Sequence, residues 1–205
     1  MDDDRAPTPE EMLRVMEEQR AATTKYLYGA SLMLYLPWGV AWLLGFTALF
    51  LHYGLDGQSY APISQMQAVG VLMGTQVVAG AIVARGIARM NRGVRGETSD
   101  RSAMYGYAWF GGMALMVVLC VRMSPQLPPQ ETGLLWAATS MLVVSVLYMA
   151  GGAIWLNWPM FFLGAWAIAV NVLGVLLGAG WHALLTAVLL GGGSIVAGLW
   201  LRRCA

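Results

Sequence analysis

Six apolar segments, at about 27–51, 65–87, 103–122, 133–155, 159–178 and 182–201, dominate the chain, and Lys and Arg are nearly absent from their interiors. A helix rises ~1.5 Å per residue, so about 20 apolar residues cover the ~30 Å of bilayer hydrocarbon. Inside lipid every backbone N–H and C=O must be paired within the protein, which leaves helices or closed barrels. Barrel strands would show short alternating segments rather than sustained apolar runs. The expected fold is therefore an all-α integral membrane protein, a six-transmembrane-helix bundle with an N-terminal cytoplasmic helix. Composition agrees: 58% of residues are hydrophobic and 11% charged, against roughly 25% charged in soluble proteins.

Charge placement predicts orientation. The N-terminal arm holds Arg5, Arg14, Arg20 and Lys25, the second connection Arg85, Arg89, Arg92, Arg95 and Arg101, and the tail Arg202 and Arg203. With an even number of spans these lie on one side, leaving only Arg122 on the other. Positive residues are retained inside, so both termini are expected in the cytoplasm. Shifting the count by one helix would scatter the charges. The expected organisation is a helical cytoplasmic arm over 1–26, a six-span domain over 27–201 and a cytoplasmic tail over 202–205. The acidic start, Met1-Asp2-Asp3-Asp4, lacks the basic first region of a secretory signal. Arginine outnumbers lysine eleven to one, which suits a GC-rich bacterial genome and hence a plasma membrane. Cys120 lies in an apolar stretch and Cys204 in the basic tail, so both are expected as free thiols.

The arm begins with a capping-box pattern: Thr8 as N-cap, Pro9 at the first helical position and Glu11 at the third. Glu10 is expected to pair with Arg14 and Glu17 with Arg20, leaving Met12, Leu13 and Met16 as a short apolar face. At the second connection Arg85, Arg89 and Arg92 share one side if the helix continues past the lipid. They are candidates to hold lipid phosphates or an acidic partner, beside their simpler role in fixing orientation.

Motifs for chemistry are lacking. The chain has no Gly-Lys-Ser/Thr phosphate loop, no Cys-x-x-Cys, no His-Glu-x-x-His and no Gly-x-Ser-x-Gly. No span carries a carboxylate or lysine near its centre, which disfavours a proton pump built on a buried acid. We expect no enzyme activity, no cofactor, no metal site and no nucleic-acid partner. His52, His182 and Asp56 are the one combination that suggests a metal, and the two histidines are read instead as interfacial residues with a wet polar tip.

Polar and helix-breaking residues near the middle of the spans are more informative. They are Pro37, Thr75-Gln76, Gly111-Gly112, Ser145, Asn171 and Gly191-Gly192-Gly193. An inverted repeat of three spans would set Gln76 against Asn171 and one glycine run against the other, and carriers of that design bind solutes at interrupted helices. Pro37, Gln76 and Asn171 are thus the substrate-binding candidates: the proline frees a backbone carbonyl, and the amides both donate and accept. Gly70 with Gly74, Gly174 with Gly178, and Ser194 with Gly198 are expected to let helices approach closely.

The stretch Tyr35-Leu36-Pro37-Trp38-Gly39-Val40-Ala41-Trp42-Leu43-Leu44-Gly45-Phe46 resembles small six-span actinobacterial membrane proteins described as transporters. The resemblance implies transport without assigning any residue. The expected function is a small membrane transporter, or transporter subunit, for a modest uncharged or weakly charged solute, with no nucleotide hydrolysis of its own. The alternative is a non-transporting scaffold or regulator. Its expected partners are the lipid bilayer, a cytoplasmic ATPase or regulator and, for the small-residue seams, a second copy of the chain.

Overall fold

The computed structural model describes residues 8–90 and 97–203, with side chains described except at 19–32, 34, 90, 97–99, 201 and 202. Among these residues there is no strand. Six helical segments are long and apolar enough to cross a membrane: Tyr35–Tyr53, Gln65–Arg89, Asp100–Gln126, Pro129–Ile154, Trp158–Leu177 and Ala179–Trp200. The protein is an all-α, six-span bundle. Because the spans alternate in direction, the start of the first span, the end of the second, the start of the third and the end of the sixth share one face, the basic face.

Helix α1 (Pro9–Tyr53) is one unbroken rod of 45 residues with Pro37 inside it, so the proline does not divide the arm from the span. Its start is the capping box the sequence specifies. Thr8 Oγ1 accepts from the Glu11 N–H at 3.3 Å, and Glu11 accepts from the Thr8 N–H at 2.8 Å. The arm's ion pair differs from expectation: Arg14 meets Glu18, at 3.6 Å, rather than Glu10. Glu10 stands in the first turn, where its charge is favoured by the helix N-terminus. The Arg20 side chain, and so its pairing with Glu17, lies outside the described residues.

Helices α2 (Gln65–Met90), α3 (Glu97–Met123), α4 (Pro129–Ile154) and α5 (Trp158–Leu177) follow. The sixth span is composite. It consists of α6 (Ala179–Leu185), a π-helical segment (Thr186–Gly192) and α7 (Gly193–Arg203). Gly178 alone joins α5 to α6, at φ +96°, a backbone state that favours glycine. Asn157 caps α5 by accepting from the Met160 N–H at 3.1 Å.

Packing sets α1 at the centre, between α2 on one side and the sixth span on the other. The sixth span also touches α5, α5 packs along α4, and α3 rests on α4. The outer helices α2 and α3 make no extensive contact with one another. A continuous core links Trp42, Phe46, Leu49 and Tyr53 of α1 with Met141 and Val144 of α4, Val170 of α5 and Leu190 of the π segment.

Glycines bring the central helices together, at Gly174 as expected but otherwise at positions the spacing does not single out. A Cβ on Gly164 would meet the Ser145 carbonyl oxygen at 2.7 Å, and one on Gly174 would meet His182 Cα at 2.9 Å. A Cβ on Gly39 would meet the Gly191 oxygen at 2.9 Å, and one on Gly191 the Leu43 nitrogen at 2.6 Å. By contrast Gly70 and Gly74 have nothing within 4 Å of such a Cβ. They lie on the face of α2 turned away from α1, so spacing of small residues alone does not say which side of a helix is covered.

Candidate functional site

Asn171, His182, Thr186 and Ser194 are the buried polar residues of α5 and the sixth span, with Ser145 on the adjoining α4. Asn171 bridges two neighbouring helices. Its Nδ2 donates to the Ala138 carbonyl at 3.0 Å, and its Oδ1 lies 2.8 Å from His182 Nε2. With Nδ2 committed to a carbonyl, Oδ1 must accept, so Nε2 carries the proton of the His182 ring. His182 is 1% exposed, packed against Gly174 and, at 6.1 Å between ring centroids, Phe46. The expected wet interfacial tip is therefore absent for His182: the one-residue turn at Gly178 folds the start of α6 back onto α5. His52 is half-buried at the end of the first span, its Nδ1 2.9 Å from the Ile63 carbonyl, beside an open depression with Ser59 and Tyr60. Among the described residues no three His, Cys, Asp or Glu side chains cluster.

The middle of the sixth span departs from α-helical geometry. From Thr186 to Gly192 the backbone is π-helical, a wider and rare form that concentrates at functional sites. Glycine makes the widening possible here, because Gly191 and Gly39 let the backbones of the π segment and α1 touch without side chains between them. One carbonyl of the segment, that of Leu189, receives the indole N–H of Trp166 at 3.2 Å. Thr186 begins the segment and Ser194 follows it by two residues. Both are fully buried, and neither hydroxyl has a hydrogen-bond partner among the described residues. An unmet buried hydroxyl costs about 1–3 kcal/mol, and Ser145 shows the ordinary remedy, donating to the Met141 carbonyl one turn back at 2.6 Å. Two orphan hydroxyls beside a π segment therefore form an arrangement in which the resting fold carries a cost that a guest molecule would remove.

The residues singled out from sequence occupy different depths. Counted from the face opposite the basic one at ~1.5 Å per residue, Asn171 lies ~9 Å, Gln76 ~16 Å and Pro37 ~24 Å along their helices. The structure does not bring these three together. Asn171 is a bridge within the core, Pro37 is half-buried in α1, and Gln76 is half-buried on α2. Arg85 and Arg89 are exposed, one turn apart at the basic-face end of α2. Arg92 lies outside the described residues.

Sequence reasoning passed over Thr186 altogether, and it read Ser194 and Gly174 only as packing residues. The one available signal was the run Gly191-Gly192-Gly193, which marked an interruption without saying of what kind. No protein-family model, curated protein or solved structure matches the chain.

Proposed function

We propose that this membrane protein is a small carrier for a modest, uncharged or weakly charged solute, and that the solute engages the π-helical part of the sixth span. The observation that carries this reading is the pair of fully buried, unpartnered hydroxyls of Thr186 and Ser194 flanking a π segment at mid-span. Carriers place their solute contacts where a helix is interrupted near the midplane, and hydroxyls can both donate to and accept from the polar groups of an uncharged solute. The described interiors of the spans offer no acid for a proton relay, so coupling to a separate ATPase or exchange down a gradient fits better. In this reading the basic face is cytoplasmic and the membrane is the bacterial plasma membrane.

Thr186→Val removes one hydroxyl at nearly constant shape. As a structural orphan its loss should stabilise the fold by about 1–2 kcal/mol, while as a solute contact its loss should abolish recognition. Purified parent and variant would be screened by thermal shift against polyols, amides and zwitterionic amino acids. Any class that raises the parent's Tm would then be tested for counterflow in proteoliposomes. We expect the parent to respond to one class and the variant to be more stable but unresponsive. A parent that responds to none, or a variant that responds equally, would overturn the reading.

A second reading has one observation in its favour. Met12, Leu13, Val15 and Met16 are all substantially exposed on the free part of α1, an apolar patch suited to a cytoplasmic ATPase or regulator. Pull-down with the full-length protein, compared with Met12→Glu and Met16→Glu together, separates a subunit or scaffold from a carrier that acts alone.

A further inference from the structure

A second site, independent of the transport reading, is built from sulfur on α3. Met113, Met116, Cys120 and Met123 recur at spacings of three, four and three, which places them on one side of the helix. That side meets α4, where Cys120 touches Thr139. Within the stripe two sulfurs are in contact: Cys120 Sγ lies 3.8 Å from Met116 Sδ. Cys120 is fully buried, Met113 and Met116 are half-buried, and Met123 is 42% exposed at the end of α3 away from the basic face. The stripe thus leads from the surface to a closed sulfur pair, Cys120 standing ~5 Å along the helix from Met123.

The surroundings hold this pair in place. Ser124 donates to the Cys120 carbonyl at 2.6 Å and receives the Trp136 indole N–H at 2.9 Å, which pins the end of α3 to α4. Thr139 donates its own proton to the Leu135 carbonyl at 2.6 Å, so at 3.1 Å from Cys120 Sγ its oxygen accepts from the thiol.

Distance and charge together define a ligand. A metal–thiolate bond is about 2.3 Å long, so two sulfurs held at ~110–120° by one ion stand ~3.8–4.0 Å apart. The Cys120–Met116 separation already has that value. Thiolate and thioether are the donors that select soft ions such as Cu+. Valence decides the rest. A monovalent ion that replaces the thiol proton leaves the site without net charge, whereas a divalent ion leaves one positive charge in hydrocarbon, which is costly. Neither α3 beyond Asp100 nor α4 beyond Glu131 carries a carboxylate to offset it. The approach is open to a cation, because the charged residues of that face are Asp56, Glu131 and Arg122, two acids to one base.

We propose that Cys120 and Met116 bind one monovalent soft metal ion of the Cu+ class. The ion bonds to Sγ as the thiol proton leaves to water, the Thr139 hydroxyl turns to donate to the sulfur, and no electron is transferred.

The test uses the full chain in nanodiscs, with Cys204, the only other cysteine, replaced by serine in every sample. Cu+, kept reduced by ascorbate without oxygen, is titrated in competition with the chromophoric chelator bicinchoninate, and the bound ion is characterised by X-ray absorption. We expect one ion per chain with sulfur neighbours at ~2.3 Å. Cys120→Ser should abolish uptake. Met116→Leu, which keeps the packing volume, should weaken it by at least about tenfold, the least that losing even an outer partner of a metal site costs. Met66→Leu, at an exposed position on α2, should bind as the parent does. No uptake by the parent would overturn the proposal, as would binding undiminished by Met116→Leu or by Cys120→Ser, or Zn2+ bound as tightly as Cu+. If Cys120→Ser melts below the parent, Met116→Leu and the sulfur neighbours of the bound ion decide the matter.

Discussion

At the scale of single residues, a buried amide's worth depends on whether it is bonded. Asn171 holds α4, α5 and α6 together, and removing it strands both the Ala138 carbonyl and the His182 N–H. Interhelical bonds in membranes average only ~0.6 kcal/mol, with the strongest near ~1.7, and two stranded groups push towards the upper end. Asn171→Leu should therefore lower unfolding free energy in mixed micelles by about 1–2 kcal/mol. Gln76→Leu, which strands nothing, should be neutral or stabilising. Glycines divide in the same way. Gly164→Ala presses a methyl against the backbone of α4 and should cost about 1–3 kcal/mol. Gly74→Ala enters open space and should gain about 0.5–1 kcal/mol from helix propensity, measurable in the same unfolding series. None of these distinctions was legible in the sequence. Gly74 and Gly164 look alike there, and the Asn171–His182 bond joins residues on different helices, one of which looked interfacial.

Elements were far easier to read, because hydropathy adds over some twenty residues while a contact depends on one. The six spans, and the capping box at Thr8, follow from local chemistry. The π segment does not, since its widening rests on the meeting of Gly191 with Gly39, some 150 positions away. Its form makes a sharp prediction. Removing one residue, Gly192, should let the segment close as an ordinary α-helix while α7 keeps its packing face. The deletion should leave thermal stability in detergent equal to the parent's or higher, and on the proposed function it should remove the solute response. The joint before it is less forgiving. Gly178 holds φ +96°, so Gly178→Ala should lower unfolding free energy by about 1 kcal/mol or more, despite having space for the methyl.

For the molecule as a whole, α1 is both the centre of the bundle and the root of the arm, with no break between. From Pro9 to the start of the span at Tyr35 the helix runs ~39 Å. A tilt of about 5° within the core would sweep its tip through ~3 Å on that length. The backbone meeting of Gly39 with Gly191 is the fulcrum, so any change of register in the sixth span is magnified at the exposed end of the rod. A spin label there would act as a pointer for events deep in the bilayer, and a protein gripping the rod would work the same lever from the other end.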